Sequence, residues 1–368
     1  MDLSNSGGKW RSVPTFGFAS VLPFPTGGEA GGFELLPVDG EREYGGQRQF
    51  REKNMPGIGI ITNPHSRRNR RYPERMRRLG YMLGQHDTYE LTNRIEDVAA
   101  VAERFKDNGV EILALNGGDG TNHVTLTTFI KVYGDEPLPK VALLRGGTMN
   151  TVSNGVGISG SPPRLLANLV EKYYTRQPFE TTQRDIIRVR DESGERYGFI
   201  FGNGLVANFL EEYYAAGDPS PVSAAVLMGK GIASLSVKGE LIGRLFRPFT
   251  AGIELDAEKW KERDYVSVLA STVDQIGLGF RPFIRCQETE GSFHLLAITA
   301  GAVDVAMMLP RIRLGLPVKE DKIRSAVSSR AVFRSRESIS YTIDGDMHTA
   351  QDGEVVLEAG PKIEIIIK

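Results

Sequence analysis

At 368 residues the chain is long enough for two domains with real cores, and 40% hydrophobic with 25% charged residues is ordinary for a soluble globular protein, which excludes a fibre. A net charge of −1 excludes a surface built as a whole for nucleic acid, and the single cysteine, Cys286, excludes a disulfide framework and fits a reducing compartment. Five histidines, at 65, 86, 123, 294 and 348, lack zinc-ligand spacing, no run reaches the length of a membrane span, and no basic segment precedes an apolar core at the N-terminus, so a cytoplasmic protein is expected.

Residues 1–53 are rich in Gly, Ser and Pro with little periodicity and read as an extension with weak autonomous structure. Ordered pattern begins with the short buried-type strand Gly57 to Thr62, which Pro64 ends within Asn63-Pro64-His65-Ser66; the Asn and Ser side chains can bond either loop backbone or a ligand. An arginine run follows: Arg67, Arg68, Arg70, Arg71, Arg75, Arg77 and Arg78, opposed only by Glu74. A solvated helix face explains it, with nucleotide phosphates or an anionic lipid surface as the functional alternatives, while Met76, Leu79 and Leu83 face the core. Asn93 with Glu96 has the form of a capping box, and Val98, Val101, Ala102 and Phe105 make the apolar stripe of a helix that stops at Asn108-Gly109.

The next stretch is the most informative. Val110 to Leu115 carry almost no polar side chain, as suits a central parallel strand covered on both faces, and Gly117, Gly118 and Gly120 then bracket Asp119. Such a turn exposes backbone N–H groups to phosphate oxygens, helped by a helix starting near Thr121. A carboxylate among phosphates is unfavourable without a cation between, so the arrangement implies Mg²⁺ carried with a nucleotide. Alternatively the loop is an ordinary strand-to-helix connection in which Asp119 caps the helix. On this loop alone both readings stand.

A third apolar strand, Val141 to Leu144, runs into Arg145-Gly146-Gly147-Thr148-Met149-Asn150, repeating the device of strand, glycine turn and polar side chains. Ser161-Pro162 starts a helix with Leu165, Leu166, Leu169, Val170 and Tyr173 on its buried side. From about residue 180 come short alternating or aromatic strands: Asp185 to Arg190, Tyr197 to Phe201, Gly252 to Leu255, Tyr265 to Ala270 and His294 to Thr299. The expected organisation is therefore a doubly wound α/β nucleotide-binding domain at 54–178 and an antiparallel β-rich domain at 179–368, with ligands at the carboxyl ends of the parallel strands. Residues 221–250 and 303–324 mix apolar with basic side chains; either could lie on an anionic lipid surface or pack against the sheet domain.

With these motifs in order, the sequence from about 54 to 368 resembles the diacylglycerol kinase catalytic-domain family, which includes bacterial lipid kinases and the sphingosine and ceramide kinases. Asn63-Pro64-His65-Ser66 is similar to the first-strand nucleotide motif, Gly117 to Thr121 to the Gly-Gly-Asp-Gly-Thr signature, and Gly147-Thr148-Met149-Asn150 to Gly-Thr-x-Asn. Phe199 to Phe209 resembles the Phe-x-Asn segment, Ser271 to Pro282 the glycine-containing strand turn, and Glu290-Gly291 the usual Asp-Gly. Asp344-Gly345-Asp346 resembles the C-terminal Asp-Gly-Glu. Asp352-Gly353-Glu354 matches those letters better, but only Asp344 leaves room for two final strands, Val355 to Glu358 and Ile363 to Ile367.

The resemblance implies an ATP-dependent lipid kinase with its active site in the interdomain cleft. ATP would rest on Asn63, Pro64, Ser66, Gly117, Gly118, Asp119, Gly120, Thr121, Gly147, Thr148 and Asn150, with Asp119 near Mg²⁺. It further implies Asp344 as general base or orienter for a lipid hydroxyl at a membrane surface, and Asp185 and Asp346 as holders of metal-bound water. Peripheral membrane association and a homodimer are compatible with it, and nucleic acid is not a partner. The departures bear on metal geometry and turnover: His123 and Val124 stand where Asn-Glu is usual, Asp346 replaces glutamate, Thr151 an aspartate and Arg67 a glycine. NAD kinases and phosphofructokinases share a glycine-rich aspartate loop but act on soluble substrates; a nucleotide- or lipid-binding protein without turnover is the non-enzyme alternative.

Overall fold

The computed structural model describes residues 57–84, 87–217, 220–235, 239–256, 258–318 and 321–368, all within one compact unit. The extension read over 1–53 lies outside the described residues, as do His86, Lys238 and Lys319.

The first strand, β1 (Ile58–Thr62), is wholly buried. The arginine run does not make one helix: Pro73 divides it into α1 (Arg67–Arg71) and α2 (Pro73–Arg78), and a 3-10 turn at Leu79–Met82 follows. Met76 and Leu79 are buried and the arginines of α2 lie outward, as their spacing predicts. After β2 (Thr88–Leu91) comes α3 (Asp97–Asp107), with Val98, Val101, Ala102 and Phe105 buried as read. Its start differs from the expected Asn93 box. Asp97 itself accepts a hydrogen bond from the Arg94 N–H at 3.1 Å, so the first-turn carboxylate closes the N-terminus from inside the helix.

The strand β3 (Ile112–Asn116) leads into α4 (Asp119–Tyr133), which starts two residues before Thr121 and so takes Asp119 into its first turn. There follow β4 (Lys140–Leu143), α5 (Thr151–Gly155) and α6 (Pro162–Tyr174). The strands lie in the order β2-β1-β3-β4, all parallel. Leu113 and Leu115 face Phe105, Leu126 and Phe129 of α3 and α4, whereas Ile112 and Ala114 face Leu79, Leu166 and Leu169. Helices thus cover both faces, which is why β3 reads as continuously apolar.

The rest of the chain is β5 (Thr181–Asp191), β6 (Gly194–Gly198), β7 (Ile200–Asn203), α7 (Leu205–Ala215), α8 (Pro221–Ser234), α9 (Glu240–Leu245), β8 (Phe249–Leu255), β9 (Lys259–Tyr265), β10 (Ser267–Ser271), β11 (Phe293–Ile298), α10 (Ala302–Arg313), β12 (Ile323–Ser328), β13 (Arg330–Arg334), β14 (Ile339–Ile343), β15 (Asp346–Ala350) and β16 (Glu354–Ile366). Strands β12-β11-β10-β7-β14-β15 form an antiparallel sheet. Its inner residues, among them Phe201, Val268, Phe293 and Tyr341, share a core with Ile187, Ile253, Phe333 and Leu357 of the other sheet.

Two details of this sandwich depart from the sequence pattern. Tyr197 to Phe201 is not one strand, because the chain changes sheets at Phe199: β6 pairs with β5, and β7 with β10 and β14. The two final strands are one strand, β16, whose register shifts between Ala359 and Lys362, where Pro361 cannot donate to a ladder. The last residues of β16 run parallel beside β4, joining the β-rich part to the edge of the parallel sheet.

Candidate active site

The carboxyl ends of β1, β3 and β4 bring the two glycine loops together. Asn63 donates from Nδ2 to Thr121 Oγ1 at 2.9 Å, and its own Oδ1 accepts from the His65 N–H at 2.8 Å. The Ser66 hydroxyl lies 3.0 Å from the Asn63 carbonyl and 3.1 Å from that of Gly146, so both residues of this motif bond loop backbone. Pro64 sits in the turn between them. The loops then meet backbone to backbone: a Cβ built on Gly147 would stand 2.2 Å from Gly118 Cα, which no side chain could occupy. Gly117 is buried behind this contact and Thr148 is half-buried beside it. Asn150, at φ +49°, clamps its own loop by accepting from Gly147 N–H at 3.1 Å and donating to the Gly147 carbonyl at 3.2 Å.

Asp119 does two things at once. Its Oδ2 accepts from Thr151 N–H at 2.8 Å and its Oδ1 from Val152 N–H at 3.1 Å, so it caps α5, the helix after the second glycine loop, rather than its own. Burial raises its pKa, while those two N–H groups and the Arg145 charge pull it back down. Arg145 in turn reaches Asn154 Oδ1 at 2.6 Å, and Arg68 donates to the Arg145 carbonyl at 3.2 Å, so the arginine run meets the second loop through Arg68.

Of the two C-terminal Asp-Gly pairs only Asp344-Gly345 is a hairpin turn; Asp352-Gly353, read from sequence as a hairpin, instead links β15 to β16, which lie in different sheets and do not pair. Ile343 pairs with Asp346 across a two-residue turn in which Asp344 (φ +48°) and Gly345 (φ +96°) are both left-handed, as such a turn requires. The Asp344 carboxylate is buried and accepts from Phe199 N–H at 3.1 Å and Ile200 N–H at 2.9 Å. Those donors are available because the chain changes sheets there. Asp352, by contrast, is exposed, with its Oδ1 taken by the Glu354 N–H at 3.0 Å.

Asp346 lies directly over the start of α4, since a Cβ on Gly120 would be 2.6 Å from its Oδ1. Burial and then the charge of Asp119 push its pKa up to about 6. Burial raises Asp344 well above the usual carboxylate range, and Asp119 and Asp346 add to the effect against the Phe199 and Ile200 N–H groups. The three carboxylates thus add to the raised pKa of Asp344 and Asp346 without forming a cation cage of their own. Among the described residues no three acidic, imidazole or thiol groups converge on one point, so a divalent cation here needs phosphate or water oxygens to complete its shell. That suits Mg²⁺ arriving with a nucleotide.

The structure does not bring Asp185 to this group. Its Oδ2 accepts from Gly291 N–H at 3.0 Å, and it lines a cleft of about 170 Å³ with Arg184, Thr272, Cys286, Glu290 and Lys362. In β5 Asp185 stands opposite Lys362 of β16, and its hydrogen bond is to the Gly291 loop rather than to Asp119, Asp344 or Asp346. His123 likewise is no stand-in for the acid usual nearby. It is buried, bonds the Tyr197 carbonyl through Nδ1 at 2.7 Å and meets the His348 ring edge-on at 5.7 Å. Burial holds His123 down to about 4 and His348 to about 3, so both are neutral and structural at working pH. Sequence reasoning missed the Phe199 and Ile200 N–H groups and Tyr214, whose hydroxyl donates to the Gly345 carbonyl at 2.9 Å. A separation of more than a hundred residues left no local signal for either.

Residues 58–178 match the family model of the diacylglycerol kinase catalytic domain. A likeness of fold extends further along the chain. A Bacillus anthracis str. Sterne protein provisionally assigned as a diacylglycerol kinase superposes with a TM-score of 0.62 at 16% identity, over 85% of this chain and 97% of that one. A second structure, a diacylglycerol kinase from the same organism, gives 0.57 at 14% identity with the same coverage. No curated protein matches the chain. The matched stretch contributes both glycine loops and Asp119, and the β-rich part, outside the matched residues, contributes Asp344 and Asp346.

Proposed function

We propose that this protein is an ATP-dependent lipid kinase that transfers the γ-phosphate to the hydroxyl of a diacylglycerol-like or sphingoid-like lipid. The observation that carries this reading is the placement of the Asp344–Asp346 turn over the first turn of α4, where the two glycine loops meet. The exposed N–H groups of Gly118 to Thr121 and the positive end of the 15-residue helix α4 would hold the phosphates. Asp119 and Asp346 would hold Mg²⁺, which supplies neutralisation of phosphate charge when bound with the nucleotide.

Asp344 takes the proton of the attacking hydroxyl. Its raised pKa makes the carboxylate a stronger base than a surface aspartate, and the Phe199 and Ile200 N–H groups fix its direction. As the lipid oxygen bonds to the γ-phosphorus, the bridge to the β-phosphate breaks and ADP leaves with that bond's electrons. In-line geometry, rather than a covalent intermediate, is what this chain's residues provide.

The acceptor side supports a lipid. No helix among the described residues is long and apolar enough to cross a membrane. Yet Val222, Val226 and Ile232 of α8, Val303 and Met307 of α10, and Leu314 and Leu316 beyond it are exposed, and no residue of α10 is buried. Packing against the sheet does not account for this surface. With Lys230 and Arg311 exposed beside it, it fits peripheral attachment to an anionic bilayer. The test is radiolabelled ATP offered with mixed micelles of diacylglycerol, ceramide or sphingosine. Label moving into a chloroform-soluble product supports the reading, and label that never leaves the aqueous phase with any of the three overturns it.

A further inference from the structure

The acid turn is held unevenly. Asp344 is fixed by two backbone N–H groups, whereas no hydrogen bond to the Asp346 carboxylate is found among the described residues. The Asp346 backbone is soft, because Gly345 at φ +96° precedes it. Besides the β14–β15 pairing of Ile343 with Asp346, one bond restrains it. The Tyr214 hydroxyl donates to the Gly345 carbonyl at 2.9 Å, and that carbonyl belongs to the peptide plane joining Gly345 to Asp346.

The donor comes from a well-braced place. Tyr214 lies in the last turn of α7, which follows directly from β7, and β7 both pairs with β14 and supplies the Ile200 N–H that holds Asp344. On its other side α7 is gripped by α9: Asn208 donates to the Leu245 carbonyl at 3.1 Å, and Arg244 bonds both carboxylate oxygens of Glu212 at 2.6 and 3.3 Å. Tyr214 is 44% exposed, so it stands at the rim of the cleft and not in the core. An aromatic residue at the rim with its hydroxyl turned inward onto a glycine carbonyl contributes little to folding and much to the aim of the turn.

We propose that Tyr214 is a positioning residue for phosphoryl transfer, which sets the direction of Asp346 by fixing the Gly345–Asp346 peptide plane. The proposal deepens the kinase reading and rests on it for its kinetic consequence, but its structural consequence can be measured without turnover. Tyr214→Phe keeps the ring and deletes only the donor. In the full chain it is expected to raise hydrogen exchange at the amides of Asp346 and Met347 severalfold and leave residues 117–121 unchanged. The thermal midpoint should move little, since a half-exposed neutral hydrogen bond exchanges for one with water at small net cost. In the mixed-micelle assay kcat should fall about tenfold with the KM for ATP within about twofold, the signature of misdirected rather than unbound groups. Unchanged exchange at these two amides, with or without a change in rate, overturns the proposal, as does wild-type kcat in the variant. If the wild-type protein itself transfers no phosphate to lipid, the kinase reading fails, and the exchange comparison still decides whether Tyr214 sets the turn.

Discussion

The carboxylate of Asp119 and the backbone nitrogen of Thr151 lie 2.8 Å apart, so the aspartate of the first glycine loop is the cap of the helix that follows the second. From sequence, a cation-facing role and a capping role for Asp119 are alternatives. In the structure the capping role is present and spans both loops: the cap ties the start of α5 to Asp119, beside the point where Gly118 and Gly147 meet, and a cation-facing role is part of the proposed function.

Asp119→Asn should therefore lose activity and stability together. The amide keeps one acceptor oxygen but turns an NH₂ group toward a helix N–H, a cost of roughly 1 kcal/mol by analogy with lost caps. Chemical denaturation and the transfer assay, run on the same preparation, check this. Full stability with lost activity would assign Asp119 to the cation alone, and reduced stability with activity kept would assign it to the cap alone.

Asp346→Asn should stabilise the nucleotide-free protein at neutral pH while impairing transfer. Its folded pKa, about 6, lies above its ordinary value of 3.8, so its contribution is fully present below pH 3.8 and is lost as pH rises through 6. Removing the charge should recover at most about 3 kcal/mol at pH 7 and less at pH 4. Thermal melts at both values, without ATP, show it.

The buried imidazoles behave in the opposite sense. His123 and His348 have folded pKa values of about 4 and about 3, below the ordinary 6.5, so their contribution is intact above 6.5 and is lost as pH falls from there toward those values. His348 Nε2 has no partner in its buried site, and replacing it with Phe leaves no group to protonate. His348→Phe should match the wild type at pH 7.5 and exceed it at pH 5. Equal stability loss in the two proteins between those values would contradict this.

The exposed apolar helices should matter only at a surface. Val222→Glu combined with Met307→Glu is expected to abolish flotation with anionic liposomes and most activity on vesicle-borne acceptor, while turnover of a short-chain soluble acceptor stays near wild type. Liposome binding independent of anionic lipid would remove the electrostatic part of this account.

The parallel sheet was legible because β1, β3 and β4 are short apolar runs ended by Pro or Gly, signals that depend only on neighbours in sequence. The burial of Val98, Val101, Ala102 and Phe105 followed from spacing in the same way. What the sequence hid is where a strand changes sheets. Tyr197 to Phe201 alternates like one strand, yet the break at Phe199 is what frees the N–H groups for Asp344. Asp185 illustrates the converse: a motif-compatible carboxylate that β5 delivers to a different cleft. Tyr214 and Gly345 meet only through tertiary packing.

The central claim is that Asp344, and not Asp352, takes the proton of the acceptor hydroxyl. Single-turnover transfer from radiolabelled ATP to the lipid identified by the micelle screen, measured for Asp344→Asn and Asp352→Asn beside the wild type, tests it most directly. The account predicts a chemical step slowed roughly a hundredfold or more in Asp344→Asn with nucleotide binding retained, and a near-wild-type rate in Asp352→Asn. A slow Asp352→Asn beside an unimpaired Asp344→Asn would contradict it.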